Sequence, residues 1–260
     1  MTSTILTNIK NHVLTITLNR PDKKNAFNAE MISEWVRALE EAKDNDDVHV
    51  IVVTGAGNAF CSGGDVGGMK QDQTPLDNKN KLWENIHRIP LTLKHIDKPV
   101  IAAINGPAVG AGLDMALMCD MRVMIQDSKV SEGYVKVGLV PGDGGAYFLP
   151  RIVGKAKALE LLWTGNFISS DEALAIGLVN HVYSQDQFEE KTKELAEHIA
   201  SGPQIAIRMT KRAVQYAESL ELEAALDLIS SHYAVIKETS DHKEGVQAFK
   251  EKRKAVFQGN

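Results

Sequence analysis

Two glycine-rich turns hold the residues of this chain best placed for chemistry: "CSGGD" at 61–65 and "GPAVGAGLD" at 106–114. Each follows an apolar, strand-like run, and the second leads into a helical pattern. Neither fits a phosphate loop, because GxxxxGK[ST] and GxGxxG are absent and no Lys follows the glycines. Such turns leave backbone N–H groups unpaired, as the start of a helix does. Two of these N–H groups aimed at one point hold a carbonyl oxygen that becomes negative during reaction, and removing one donor typically costs about 3–4 kcal/mol. A missing P-loop lysine agrees with this, since the charge to be stabilised is a single enolate oxygen. The same glycines also suit tight turns or close helix–strand contacts, and spacing alone does not bring the two turns together.

The elements that must position these turns follow from periodicity. "HVLTITLNR" (12–20) alternates like a strand and "PDKKN" breaks it. From Asn28, a candidate N-cap, the residues Met31, Ile32, Trp35, Val36, Leu39 and Ala42 recur at helical spacing. "VHVIVVTG" (48–55) and "PVIAAING" (99–106) are apolar and rich in β-branched residues, as strands covered on both faces are. Between them come a polar stretch around 70–80 and a helix near 80–96 carrying Leu82, Trp83, Ile86 and Ile89. "MRVMIQ" (121–126) resumes strand character, and strands alternating with helices predict an α/β fold with parallel pairing. After about residue 184 only helical patterns follow. In the third of these, Leu222, Ala225, Leu226, Ile229, Tyr233 and Ile236 form a stripe while Ala224, Leu228 and Val235 lie off it. A helix apolar on more than one face needs two surfaces to cover it, which favours a homo-oligomer.

Bulk properties narrow the function. The 260 residues are enough to bury a large core, with 43% hydrophobic and 24% charged residues. A net charge of −5 argues against nucleic-acid binding. Cys61 and Cys119 have no disulfide or metal-ligand spacing, and no metal site is expected. No run reaches the length of a membrane span and no secretory pattern opens the chain, so a cytoplasmic location is expected.

Six fragments, in order, resemble the crotonase (enoyl-CoA hydratase/isomerase) superfamily: "LNRPDKKNAFNAEM", "VIVVTGAGNAFCSGGDVGGM", "KPVIAAINGPAVGAGLDMALMCDMRV", "VGLVPGDGG", "LLWTGNFISSDEALAIGLVN" and "EGVQAFKEKRKAVF". The resemblance implies an α/β spiral of ββα units over 1–200 and a helical trimerisation region over 201–260, assembled as a homotrimer or dimer of trimers. It implies an acyl-CoA substrate, with coenzyme A arriving as part of that substrate and no separate cofactor. Position by position, the oxyanion amides fall on Gly64 and Ala111. Ser62 matches a backbone contact to adenine, and Phe249 and Lys252 match residues that meet coenzyme A on a neighbouring subunit.

The match breaks at the acid/base residues. Family hydratases use two glutamates; here the first position is Asp114 and the second is Tyr134. A tyrosine of ordinary pKa, near 10, is a poor base at neutral pH, so the usual two-carboxylate hydration lacks its second carboxylate. Asp114 lies three residues after Ala111, a helical rise of about 4.5 Å, within reach of an α- or γ-proton of a thioester held in the hole. The helix dipole favours its charged form and burial opposes it, a balance the sequence leaves open; a first-turn Asp that only complements the dipole is the plainer alternative. Asp143 lies where related isomerases place a carboxylate, which aligns one position earlier at Gly142, and is either the second acid/base group or a turn former or N-cap. Glu132 would share the face of Tyr134 on a strand and replace the missing carboxylate; on an irregular segment nothing follows. His87 reads as a core or surface histidine, and Cys61 as a small packed residue. Ser62 lacks the GxSxG context of a hydrolase nucleophile.

The expected activity is proton transfer at the α-carbon of an acyl-CoA through a stabilised enolate, giving double-bond isomerisation or hydration. Alternatives on the same scaffold are a thioester hydrolase, a decarboxylase or a non-catalytic acyl-CoA binder.

Overall fold

The computed structural model describes residues 3–65 and 74–260. Residues 66–73, which follow the first glycine-rich turn and include the start of the polar stretch near 70–80, lie outside the described residues. The chain runs β1 (Ile5–Lys10), β2 (Val13–Leu18), α1 (Ala29–Asp44), β3 (Val50–Gly55), α2 (Pro75–Glu84), α3 (Arg88–Leu93), β4 (Val100–Ile104), β5 (Ala108–Val109), α4 (Ala111–Leu117), β6 (Met121–Ile125) and β7 (Lys129–Ser131). It continues through α5 (Gly145–Val153), α6 (Lys155–Thr164), β8 (Ile168–Ser169), α7 (Ser170–Ala175), β9 (His181–Tyr183), α8 (Phe188–Ala200), α9 (Gln204–Ala217), α10 (Leu222–Glu238) and α11 (Ser240–Glu251).

Among the described residues the main sheet has the order β1-β2-β3-β4-β6-β9, parallel throughout except for the antiparallel β1–β2 edge. Alternate side chains of its central strands enter two cores, as the two-residue period requires. Ile51, Val53, Val100, Ala102 and Ile104 pack with Trp35 and Leu39 of α1, whereas Val50, Val52, Ile101 and Ala103 pack with Phe188, Ala196 and Ala200 of α8. This is why β3 and β4 read as unbroken apolar runs. Asn28 caps α1 as expected, its side chain accepting from the Met31 N–H at 2.9 Å.

The single helix expected near 80–96 is instead two helices, α2 and α3, and ends at Leu93. Asn85 leaves helical geometry at φ −113°, ψ −92° and its side chain donates to the Lys81 carbonyl, which closes α2. Apolar spacing continues across the break because both pieces rest on one core, and periodicity alone does not register a change of axis.

A second, smaller sheet, β5-β7-β8, carries the chemistry-bearing turns. The Cys61 turn is fastened to the segment before α4: Phe60 and Cys61 donate to the Pro107 carbonyl at 3.1 and 3.3 Å, and Val109 donates back to Cys61 at 3.1 Å. Helix α4 then lies directly on this turn, since a Cβ on Gly112 would sit 2.1 Å from the Cys61 carbonyl oxygen. Gly112→Ala is therefore expected to lower stability by about 1–3 kcal/mol, the usual cost of overpacking a rigid contact. Chemical denaturation of the two proteins measures it, and an unchanged midpoint would contradict the contact.

Candidate active site

The two glycine-rich turns converge. Phe27 donates to the Gly63 carbonyl at 3.0 Å and accepts from Asp65 N–H at 2.9 Å, pairing in parallel with Gly64 and leaving the Gly64 N–H directed away from it. A Cβ on Gly63 would lie 3.7 Å from the Ala111 nitrogen, so the first turn passes beside the start of α4 with room for little more than a methyl group between them. Ala111 opens α4, whose first internal bonds are those of Leu113 and Asp114 to the Gly110 carbonyl. Among the described residues neither the Gly64 nor the Ala111 N–H has a hydrogen-bond acceptor.

Asp114 is wholly buried in the first turn of α4. Its Oδ2 accepts from the Tyr134 hydroxyl at 2.6 Å, and that phenolic oxygen lies 3.0 Å from Asp143 Oδ2. Tyr134 belongs to a 3-10 turn, Gly133–Val137, that follows β7. A phenol has one proton, so if it donates to Asp114 the contact with Asp143 needs a proton from the Asp143 carboxyl. The three groups form a line along which protons can shift. Asp143 does not cap α5, as one of its sequence readings allowed; Gly144 holds that position with no side-chain cap, and the Asp143 carboxyl is buried and turned to Tyr134.

Glu132 completes the cluster although its segment is not a strand. It immediately precedes the 3-10 turn, is 2% exposed, and among the described residues has no hydrogen-bond partner for either carboxyl oxygen. A Cβ on Gly145, at the start of α5, would fall 2.4 Å from Asp114 Oδ1 and 3.1 Å from Glu132 Oε2. Both carboxyl groups thus crowd over one glycine. Sequence alone leaves Glu132 open because only a strand would put it on the face of Tyr134; the turn brings it to Asp114 by another route.

Burial is the main cause of the perturbed acidities. It pushes Asp114 up to about 6; the Tyr134 hydrogen bond pulls it back, the charge of Asp143 adds to the rise, and Glu132 and the Gly145 N–H oppose it. Burial, then the Asp114 charge, pushes Glu132 up to about 10. Burial raises Asp143, and Tyr134 hydrogen bonding and the His87 charge oppose this. Burial followed by the charges of Asp114 and Asp143 raises Tyr134, which is a neutral donor rather than a base. His87, between α2 and α3, approaches the Gly142 carbonyl at 2.7 Å through Nε2 and so ties down the loop that carries Asp143. Its role is thus more local than a generic core or surface histidine. Cys61 is buried and its thiol pushed up to about 12, mainly by burial, which agrees with a packed residue.

Ser62 donates its N–H to the Lys24 carbonyl at 3.0 Å. With Lys24, Val109 and Phe167 it lines a cavity of about 820 Å³ that opens beside the converging turns. Phe249 and Lys252 do not line that cavity. Phe249, 86% exposed, borders a separate hollow of about 480 Å³ with Ile205, Ile236 and Phe257, and Lys252 ends α11 in a left-handed conformation.

Residues 8–260 match the model of the enoyl-CoA hydratase/isomerase family. The chain is 34% identical over 258 residues to 1,2-epoxyphenylacetyl-CoA isomerase of Escherichia coli, covering 98% of each. It is 35% identical over 243 residues to crotonyl-CoA hydratase of Syntrophomonas wolfei, covering 92% of each. The crystal structure of enoyl-CoA hydratase from Bacillus anthracis aligns with a TM-score of 0.90 at 34% identity, over 99% of this chain and 100% of that one.

The raised acidity constant of Asp114 has a consequence for stability. The unfolded carboxyl titrates near 3.8 and the folded one at about 6, so between these values the native state binds more protons and stability falls as pH rises. Above about 6 the full cost of the buried charge is present. Asp114→Asn is expected to be more stable than the parent by about 1–3 kcal/mol at pH 7.5 and nearly equal to it at pH 4. Thermal melts at both pH values test this; a variant equally destabilised at both would contradict it.

Proposed function

The chain belongs to the enoyl-CoA hydratase/isomerase family, and from that premise we propose that it moves a carbon–carbon double bond within an acyl-CoA thioester. The observation that carries this reading is the Asp114–Tyr134–Asp143 line of hydrogen-bonding groups beside two unpaired amides. The Gly64 and Ala111 N–H groups hold the thioester oxygen and stabilise it as the enolate forms. The Asp114 carboxylate takes the α-proton of a 3-enoyl thioester, so the C2–H bond breaks and an O–H bond forms on Asp114. The dienolate closes to the 2-enoyl product as a proton is delivered to C4. That proton comes from Asp114 directly or from Asp143, in which case Tyr134 passes its proton to Asp143 and recovers one from Asp114. Either route returns the site to its starting charge.

Hydration is the second reading. The crotonyl-CoA hydratase relative supports it, as does the presence of carboxyl groups besides Asp114 that can activate water. A buried acid whose acidity constant lies near neutrality suits general base or acid work in both reactions.

The rest of the assignment is consistent with this chemistry. Coenzyme A is bound through the cavity edged by Ser62, with Phe249 and Lys252 supplied by a neighbouring subunit. The spiral core covers 1–200 and the helices of 201–260 assemble the protein as a homotrimer or a dimer of trimers in the cytoplasm. The face of α10 supports this assembly: Leu222, Leu226 and Tyr233 are 72, 52 and 62% exposed in the single chain.

Incubation with 3-enoyl- and 2-enoyl-CoAs in deuterated water, followed by mass spectrometry, tests the proposal. The parent is expected to label the substrate and interconvert the two isomers; a product heavier by water identifies hydration. Asp114→Asn should slow labelling by about 10²–10⁴-fold while coenzyme A affinity changes little. Parental exchange in this variant, or release of free thiol by the parent, would overturn the reading.

A further inference from the structure

Asp114 and Glu132 present a charge problem that the proposed reaction does not by itself resolve. Among the described residues, Asp114 Oδ1 and both Glu132 oxygens are buried without a hydrogen-bond partner. Two carboxylates this close, both out of water, repel each other, and neither anion has a proton to offer. One added proton removes the repulsion and supplies a donor for an oxygen that lacks one. The surrounding donors determine which group takes it. Asp114 Oδ2 already accepts from Tyr134 at 2.6 Å, the Gly145 N–H nearby favours its charged form, and it lies in the first turn of α4. Glu132 has no such donor. The negative charge therefore belongs on Asp114 and the proton on Glu132.

We propose that Glu132 is a positioning residue that stays a neutral carboxylic acid and donates its proton to Asp114 Oδ1, keeping Asp114 ionised and oriented as the proton acceptor. This rests on the reading of Asp114 as the base and adds a residue that does not itself touch the substrate. Every titratable group packed around Asp114 is compatible with the assignment. From the segment after β7 come Glu132 and Tyr134, and the loop before α5 brings Asp143. His87 faces Asp143 from between α2 and α3, and the Cys61 thiol is neutral beneath α4. Gly145 has a specific part: any side chain there would wedge the Asp114–Glu132 pair apart. The proton on Glu132 is resident. It is not passed to the substrate, and its departure would leave two adjacent anions.

Two substitutions separate this role from that of a second base. Glu132→Gln keeps a neutral donor of the same shape; it should retain the acid limb of the kcat/KM pH profile for proton exchange, at a rate lowered by no more than about tenfold. Glu132→Leu keeps the volume and removes the donor; the Asp114 carboxylate is then less favoured and the acid limb should move up by about one to two pH units. A merely structural role would lower the rate without moving the limb. Infrared spectroscopy supplies a readout that needs no turnover: at pH 7.5 the parent should show the carbonyl stretches of two protonated carboxyls, Glu132 and Asp143, of which Glu132→Gln should lose one, while Asp143→Asn should keep that one and lose the other. The proposal is overturned if Glu132→Gln loses exchange as completely as Asp114→Asn, or if its infrared spectrum lacks that loss. Should the parent exchange no acyl-CoA at all, the assigned reaction fails while the infrared arm still decides the protonation of Glu132. If Glu132→Leu does not fold, the glutamine variant and its spectrum decide alone.

Discussion

The 2.6 Å hydrogen bond from the Tyr134 hydroxyl to Asp114 is the contact around which the site is organised. A carboxylate with no exposure loses its hydration, and in a low-dielectric interior only fixed donors replace it. Tyr134 is such a donor, and the nearby Gly145 N–H at the start of α5 also favours the charged form. The phenol must be neutral to serve, and its burial beside Asp114 and Asp143 ensures this by raising its own acidity constant. Tyr134 thus tunes a neighbour's charge and links it to a third group, Asp143.

That arrangement depends on a rigid base. The central strands fill both cores with alternating side chains, so β3 and β4 end at fixed heights and the turns that follow them meet. Hydrogen bonds between the Cys61 turn and Pro107–Val109 then fix the spacing of the two amide-bearing segments. A side chain at position 112 would push them apart, which explains why a glycine falls in the second position of α4. Catalytic geometry of this sort is held better by strand ends and a helix start than by a free loop, because neighbouring side chains lock each group's orientation.

The C-terminal helices follow a different logic. Of the apolar residues of α10, only Ala225 is buried within the chain, while Leu222, Leu226, Ile229 and Tyr233 of its stripe and the off-stripe Val235 are exposed. Exposure of that extent leaves an apolar helix face uncovered within the single chain. The carboxyl cluster itself lies within one chain.

Much of this was legible in the sequence because it is local. Two-residue alternation and β-branched runs marked the strands, Asn28 marked a helix start, and glycine-rich turns after two strands marked where backbone amides lie free. The family resemblance added residue roles to those positions. The break between α2 and α3 was not legible, since apolar spacing persists when a helix bends on one core. Nor was the carboxyl cluster: Glu132, Tyr134 and Asp143 sit on a 3-10 turn and a loop, where no repeat fixes side-chain direction. The sequence by itself determined that Asp114 follows the second turn on a helix start and that the neighbouring glutamate position is a tyrosine. Only the packing of α4 against α5, with the irregular segment between β7 and α5 folded over both, decided that three carboxyl groups share one buried space. Proximity of charges distant in sequence is set by tertiary contacts, and so, through desolvation and mutual repulsion, are their protonation states.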